Sequence, residues 1–192
     1  MCNSFLTSVI FKTAAPAQGE RGPGLRRDAA RTGQIRAMNY LELFDRRGRV
    51  MDDLLMAASK LPPEKFGEKG PFDGASLRDL FLGWLEEQRR AVHASLLGKS
   101  YTPLPLAAHG GVADVGRAFG GFRMTLRDEM ESLTREDLAR EVKWTPVQGE
   151  PTDVTVDEVL AHLAMHDARM QGLIAERLRQ LGVTAVAVDL LG

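Results

Sequence analysis

Two histidines four residues apart, His162 and His166, are the residues of this chain best suited to do chemistry. On a helix that spacing projects both imidazoles from one face, where they can hold a metal ion or carry a proton. A carboxylate from a second helix would complete such a site, and Glu86 or Glu87 supplies one. Zn²⁺ or Ni²⁺ is the divalent ion this donor set suits, and no other cofactor is indicated. The competing reading makes His166 a hydrogen-bonded core residue and His162 a boundary one. Glu86 and Glu87 would then pair with Arg89 and Arg90 one turn on. Met51, Met124, Met130, Met165 and Met170 read as core filler, not as a soft copper site.

The histidines depend on the segment Thr155–Gly182 to position them. Thr155 followed by Glu158 is a capping box, and Gly182 is the residue type that ends a helix most easily. Between them Val159, Leu163, His166, Met170, Ile174, Leu178 and Leu181 recur at three- and four-residue spacing, which predicts one buried stripe with His166 on it and His162 at its edge. Three further helices are predicted. From Met38, the stripe Leu41, Phe44, Gly48, Met51, Leu55 and Ala58 runs to Pro62-Pro63. Ser76, with Asp79 three residues on, caps a second helix with the stripe Leu77, Leu80/Phe81, Trp84, Gln88, Ala91 and Leu96. Val112, Val115, Phe119, Phe122, Leu126, Met130 and Leu133 mark a third. In it Gly116, Gly120 and Gly121 each cost about 1 kcal/mol unless close helix approach offsets them. Lys99–Gly111 is a long crossover, residues 141–151 suit a short hairpin, and the last ten residues suit a segment folded back over the helices. The sum is an all-α four-helix bundle with long connections after helices two and three.

Composition bounds the function. The 192 residues, 44% of them hydrophobic, fit one domain, and the net charge of −1 offers no nucleic-acid footprint. Residues 1–37 carry six Lys or Arg against two Asp or Glu and read as a basic, disordered extension. Met38 is the alternative start, which leaves 38–192 as the bundle. Arginines along the third helix alternate with Asp and Glu, which reads as a solvated face. No apolar run approaches the roughly 18–20 residues that span a bilayer. A single cysteine, Cys2, excludes an internal disulfide and points to a reducing, cytoplasmic compartment.

The helix order, the capped start S-L-R-D-L-F-L on helix two and the run H-x-x-x-H-x-x-x-x-x-G on helix four resemble the DinB/YfiT-like superfamily over about residues 38–191. That resemblance implies a divalent metal held by three histidines, one from helix two and two from helix four. It also implies metal-dependent hydrolase or thiol-dependent transferase chemistry and a homodimer formed through helix faces. Carried over position by position, the helix-two ligand falls at Gly83, the first helix-four ligand at His166 and the second at Met170. Gln171 stands where the family has arginine, and Gly172 is kept. One ligand of three survives, because glycine has no donor and a thioether is a poor ligand for Zn²⁺ or Ni²⁺. Two functions follow. One is a non-catalytic or small-ligand-binding bundle with a pocket where Gly83 replaces an imidazole. The other is a metal-dependent enzyme rebuilt around His166.

Overall fold

A computed structural model describes residues 25–70, 74–144 and 150–183, with side chains from Tyr40 onward. The chain is mostly helical, with one small sheet. Four long helices carry the packing: α1 (Leu25–Ala58), α3 (Leu77–Arg90), α4 (Val112–Ser132) and α6 (Val156–Gln180). Short helices α2 (Pro63–Phe66) and α5 (Arg135–Leu138) fill the links, and β1 (Glu141–Trp144) pairs antiparallel with β2 (Thr152–Thr155). Helix α1 begins thirteen residues ahead of Met38, within the stretch that composition marks as an extension. The folded-back C-terminal segment expected after Val183 lies outside the described residues.

The predicted caps are the observed ones. Ser76 Oγ accepts from the Asp79 N–H while the Asp79 carboxylate accepts from the Ser76 N–H, and Thr155 and Glu158 do the same for α6. Gly182 closes α6 at φ +86°, with its own N–H donating to Arg179 O at 3.0 Å and the Val183 N–H to Leu178 O at 3.0 Å. Only a residue without Cβ takes that conformation cheaply. After Arg90 the helix does not stop but widens into a π-helical turn, Ala91–Leu96, which ends before Gly98 at φ +59°. Such turns are costly in hydrogen-bond geometry and gather at functional sites.

Helices α1 and α3 each pack on both α4 and α6. Leu54, Leu77, Phe81, Trp84, Leu85, Phe119, Leu160, Leu163 and Ile174 are essentially solvent-free. The Trp84 and Phe119 rings meet edge-on, their centroids 5.3 Å apart, and Phe81 packs edge-on to Phe119. At Gly48 the Arg123 guanidinium lies against the bare backbone, where a Cβ would be 2.7 Å from it. That guanidinium donates to Asp52 at 2.6 Å, tying α4 to α1. No such contact compensates Gly120 or Gly121, whose Cβ positions face open space, and Gly116 meets only Leu55 Cδ1 at 3.9 Å. Met51, Met130 and Met170 are core residues, but Met124 and Met165 are about two-thirds exposed, so methionine spacing overstated the core on those two helix faces. Among the described residues no helix is long and apolar enough to cross a membrane.

Candidate functional site

Helices α3 and α6 bring two polar groups together, one in the core and one at its edge. The core group was not anticipated. Asp167 is 1% exposed and lies on the α6 stripe that the sequence assigned to His166. It accepts from Trp84 Nε1 at 2.7 Å and from Gln88 Nε2. Gln171, one turn on and fully buried, accepts from Arg47 Nη1 and donates to Arg47 O, both at 3.0 Å. Burial raises the Asp167 carboxyl to about 7, against the lowering pull of Trp84, Gln88 and Arg47. Beside it Arg47, Trp84, Gln88 and Asp167 border a cavity of about 20 Å³, room for about one water.

The signal for Asp167 was present, since it stands four residues after Leu163 and three before Met170. A carboxylate at mid-helix reads as surface, and the neighbouring histidine drew the assignment by one position. One position rotates a helix by about 100°, enough to move His166 off the core line and leave it half-buried at the edge.

The edge group contains the predicted histidines. Of the two glutamates only Glu87 reaches them, its Oε1 lying 3.6 Å from His162 Nε2. Glu86 points the other way and accepts the Leu104 N–H of the crossover at 3.0 Å. Glu87 also takes a hydrogen bond from Arg90 Nη2, and the Arg90 guanidinium lies over the Trp144 ring of β1. Trp144 in turn packs against His162, with centroids 4.8 Å apart, and the His162 and His166 rings lie nearly parallel at 6.3 Å. The hairpin is held here by the Val156 N–H donating to Arg140 O and Arg140 Nη2 donating to Leu96 O, both 3.0 Å, which join it to the end of the π-helical turn.

Burial alone would raise the Glu87 carboxyl, but His162 and Arg90 outweigh it and hold it below the ordinary range. Burial, helped by the neighbouring positive groups and opposed by Glu87, lowers His166 to about 4. His166 is therefore neutral near pH 7. Its Nδ1 is buried without a hydrogen-bond partner, as are Nε and Nη1 of Arg90. Buried polar atoms in folded proteins almost always have partners, so three orphans in one cluster mark a place where a further group belongs.

The positions carried over from the resemblance fare differently. Gly83 is exposed, and a Cβ there would meet nothing within 4 Å, so no bundle-interior pocket lies beside it. The expected pocket fails because Trp84, the next residue, takes the inward direction and fills it. Met170 is buried among apolar side chains. The family's metal does not fit these residues: one position faces out with no donor and another offers only a thioether. Among the described residues no group of three or more His, Cys, Asp or Glu side chains is placed to hold a metal ion. No family model matches the chain, and no curated protein shows significant similarity to it.

Proposed function

We propose that this chain is a DinB/YfiT-like four-helix bundle that has given up the family's three-histidine metal and serves to bind a small molecule. The observation that carries the reading is the closed polar lock that ties α6 to α3 and α1. Asp167 is satisfied by Trp84 and Gln88, and Gln171 by Arg47, in the interior where a bundle metalloprotein would keep open coordination positions. A metal at the edge group would also have to displace Arg90 from Glu87, and a cation gains little beside a guanidinium. In this reading the protein is a cytoplasmic homodimer, and the edge group binds a ligand with Arg90, His162 and His166 as its polar contacts and Trp144 as its flat wall.

One observation favours a second reading. The neutral, unpartnered Nδ1 of His166 is a good ligand atom. This reading requires His162 and Glu87, which are not placed around one point as they stand, to move in and complete the two-histidine, one-carboxylate pattern of open metal sites. The ion would then lower the pKa of bound water for a hydrolase or transferase reaction.

Elemental analysis by mass spectrometry of untagged, chelator-free protein separates the two, with the His166→Ala variant alongside. The binding-protein reading expects no stoichiometric metal in either sample. Near-stoichiometric Zn, Ni, Fe or Mn that disappears in the variant would overturn it in favour of the rebuilt enzyme.

A further inference from the structure

On the flank of α3 away from the histidines, a cavity of about 300 Å³ opens between the π-helical turn, the crossover and α4. Its charged lining is of one sign, Arg89 and Arg117, while burial and then Arg89 hold the His93 imidazole below its ordinary range and so uncharged. The rest of the wall is apolar or bare, chiefly Leu104, Phe122 and Gly121. Three facts about this wall want an explanation. Arg89 Nη1 is buried with no hydrogen-bond partner, although its guanidinium rests over the Tyr101 ring, 5.8 Å from the centroid. Gly121 sits in the middle of a 21-residue helix with open space where its side chain would be, a loss of helix stability that no internal packing repays. The third is His93, which is half-buried and lines the cavity from within the π-helical turn.

We propose that this cavity is a binding site for a small organic anion, a carboxylate or phosphate joined to a compact apolar group. This site is separate from the edge group, shares no residue with it and goes beyond the reading above. Arg89 meets the anion by turning its guanidinium off the Tyr101 ring, which brings the buried, unsatisfied Nη1–H into the cavity, and a planar fork suits either oxyanion. Arg117 closes from α4. Its present partner, Asp114 at 2.5 Å, is an exposed pair three residues back on the same helix, the kind of pair that exchanges at little cost. The apolar portion lies along Leu104 and Phe122, and the missing side chain at Gly121 leaves the room for it. At about 300 Å³ the cavity is at the small end of ligand sites, which restricts the ligand to a single ring or a short chain.

The test uses the full chain and three probes of similar size: phenylacetate, phenyl phosphate and phenethylamine. Titrations are followed by amide chemical shifts in ¹⁵N-labelled protein. Expected is saturable binding of one or both anions, with the largest shifts at residues 89, 93 and 117–122 and none from the amine. The preferred anion distinguishes a carboxylate from a phosphate ligand. Arg89→Met should weaken that binding at least tenfold, the loss expected for a charged hydrogen bond. Gly121→Leu fills the cavity without removing charge and should abolish binding while raising the unfolding temperature, so the loss cannot be put down to misfolding. Three results would overturn the proposal: no saturable shift from either anion, equal response to the amine, or binding that survives both substitutions. Metal content follows His166, whereas this titration follows Arg89 and Gly121, so the metal question and the anion site fail separately.

Discussion

Replacing Asp167 with asparagine removes the one carboxylate in the described core and tests what its burial does. The folded protein raises this carboxyl from an ordinary 3.8 to about 7. Between those values the folded chain holds a proton that the unfolded chain has released, so stability falls as pH rises through the window. Each pH unit is worth about 1.4 kcal/mol, and roughly three units give up to about 4 kcal/mol lost between pH 4 and pH 7. Asparagine keeps the acceptor for Trp84 and Gln88 but cannot ionise. The informative quantity is the stability of Asp167→Asn minus that of the wild type, because every other titrating group common to both cancels. It should climb by up to about 4 kcal/mol from pH 4 to pH 8. Urea unfolding followed by tryptophan fluorescence reads it, since Trp84 touches the mutated group. A difference that stays level within about 1 kcal/mol over that range would mean that the carboxyl titrates in an ordinary environment, and the account of the α3–α6 lock would be wrong.

His166 acts with the opposite sign. Lowered from 6.5 to about 4, it makes the unfolded chain the better proton binder in that window, so its contribution is lost on acidification, by up to about 3 kcal/mol. The stability of His166→Gln minus that of the wild type should therefore rise by up to about 3 kcal/mol from pH 7 to pH 4, a trend that equilibrium unfolding at four pH values would expose. Gly120→Ala and Gly121→Ala should each stabilise the protein by about 1 kcal/mol in denaturant melts, because the added Cβ meets nothing. Trp84→Phe should cost about 1–3 kcal/mol by taking one donor from a buried acceptor, and should move the Asp167 titration window to higher pH in the same unfolding series. The double variant Gly83→His, Met170→His should gain no tight metal binding in calorimetric titration with Zn²⁺ or Ni²⁺, since the two positions face solvent and core respectively. A nanomolar site would show that the outward course of Gly83 is misplaced.

Much of the helical framework is legible without coordinates. Capping boxes at Ser76 and Thr155 and the stop at Gly182 are local chemistry, decided within three or four residues, so sequence alone fixes those boundaries. The α4 stripe is equally plain, since Val115, Phe119, Phe122, Leu126 and Met130 are the buried side chains that their spacing predicts. Periodicity also brought His162, His166 and a helix-two glutamate into one hypothesis. It could not choose between Glu86 and Glu87, which are adjacent in sequence but about 100° apart on the helix. That choice belongs to the neighbours: α6 faces one residue and the Leu104 crossover the other. The helix-two spacing already puts Trp84 on the buried stripe, against the resemblance that puts a ligand position at Gly83, whereas tertiary structure decided that Asp167 occupies the core line beside His166. A buried carboxylate is tolerable only when donors from another helix meet it, and Trp84 and Gln88 lie 83 and 79 residues away in the chain. No local pattern carries information over that distance. The anion cavity is a still clearer case, because Arg89, Leu104 and Gly121 become one surface only after α3 and α4 have packed.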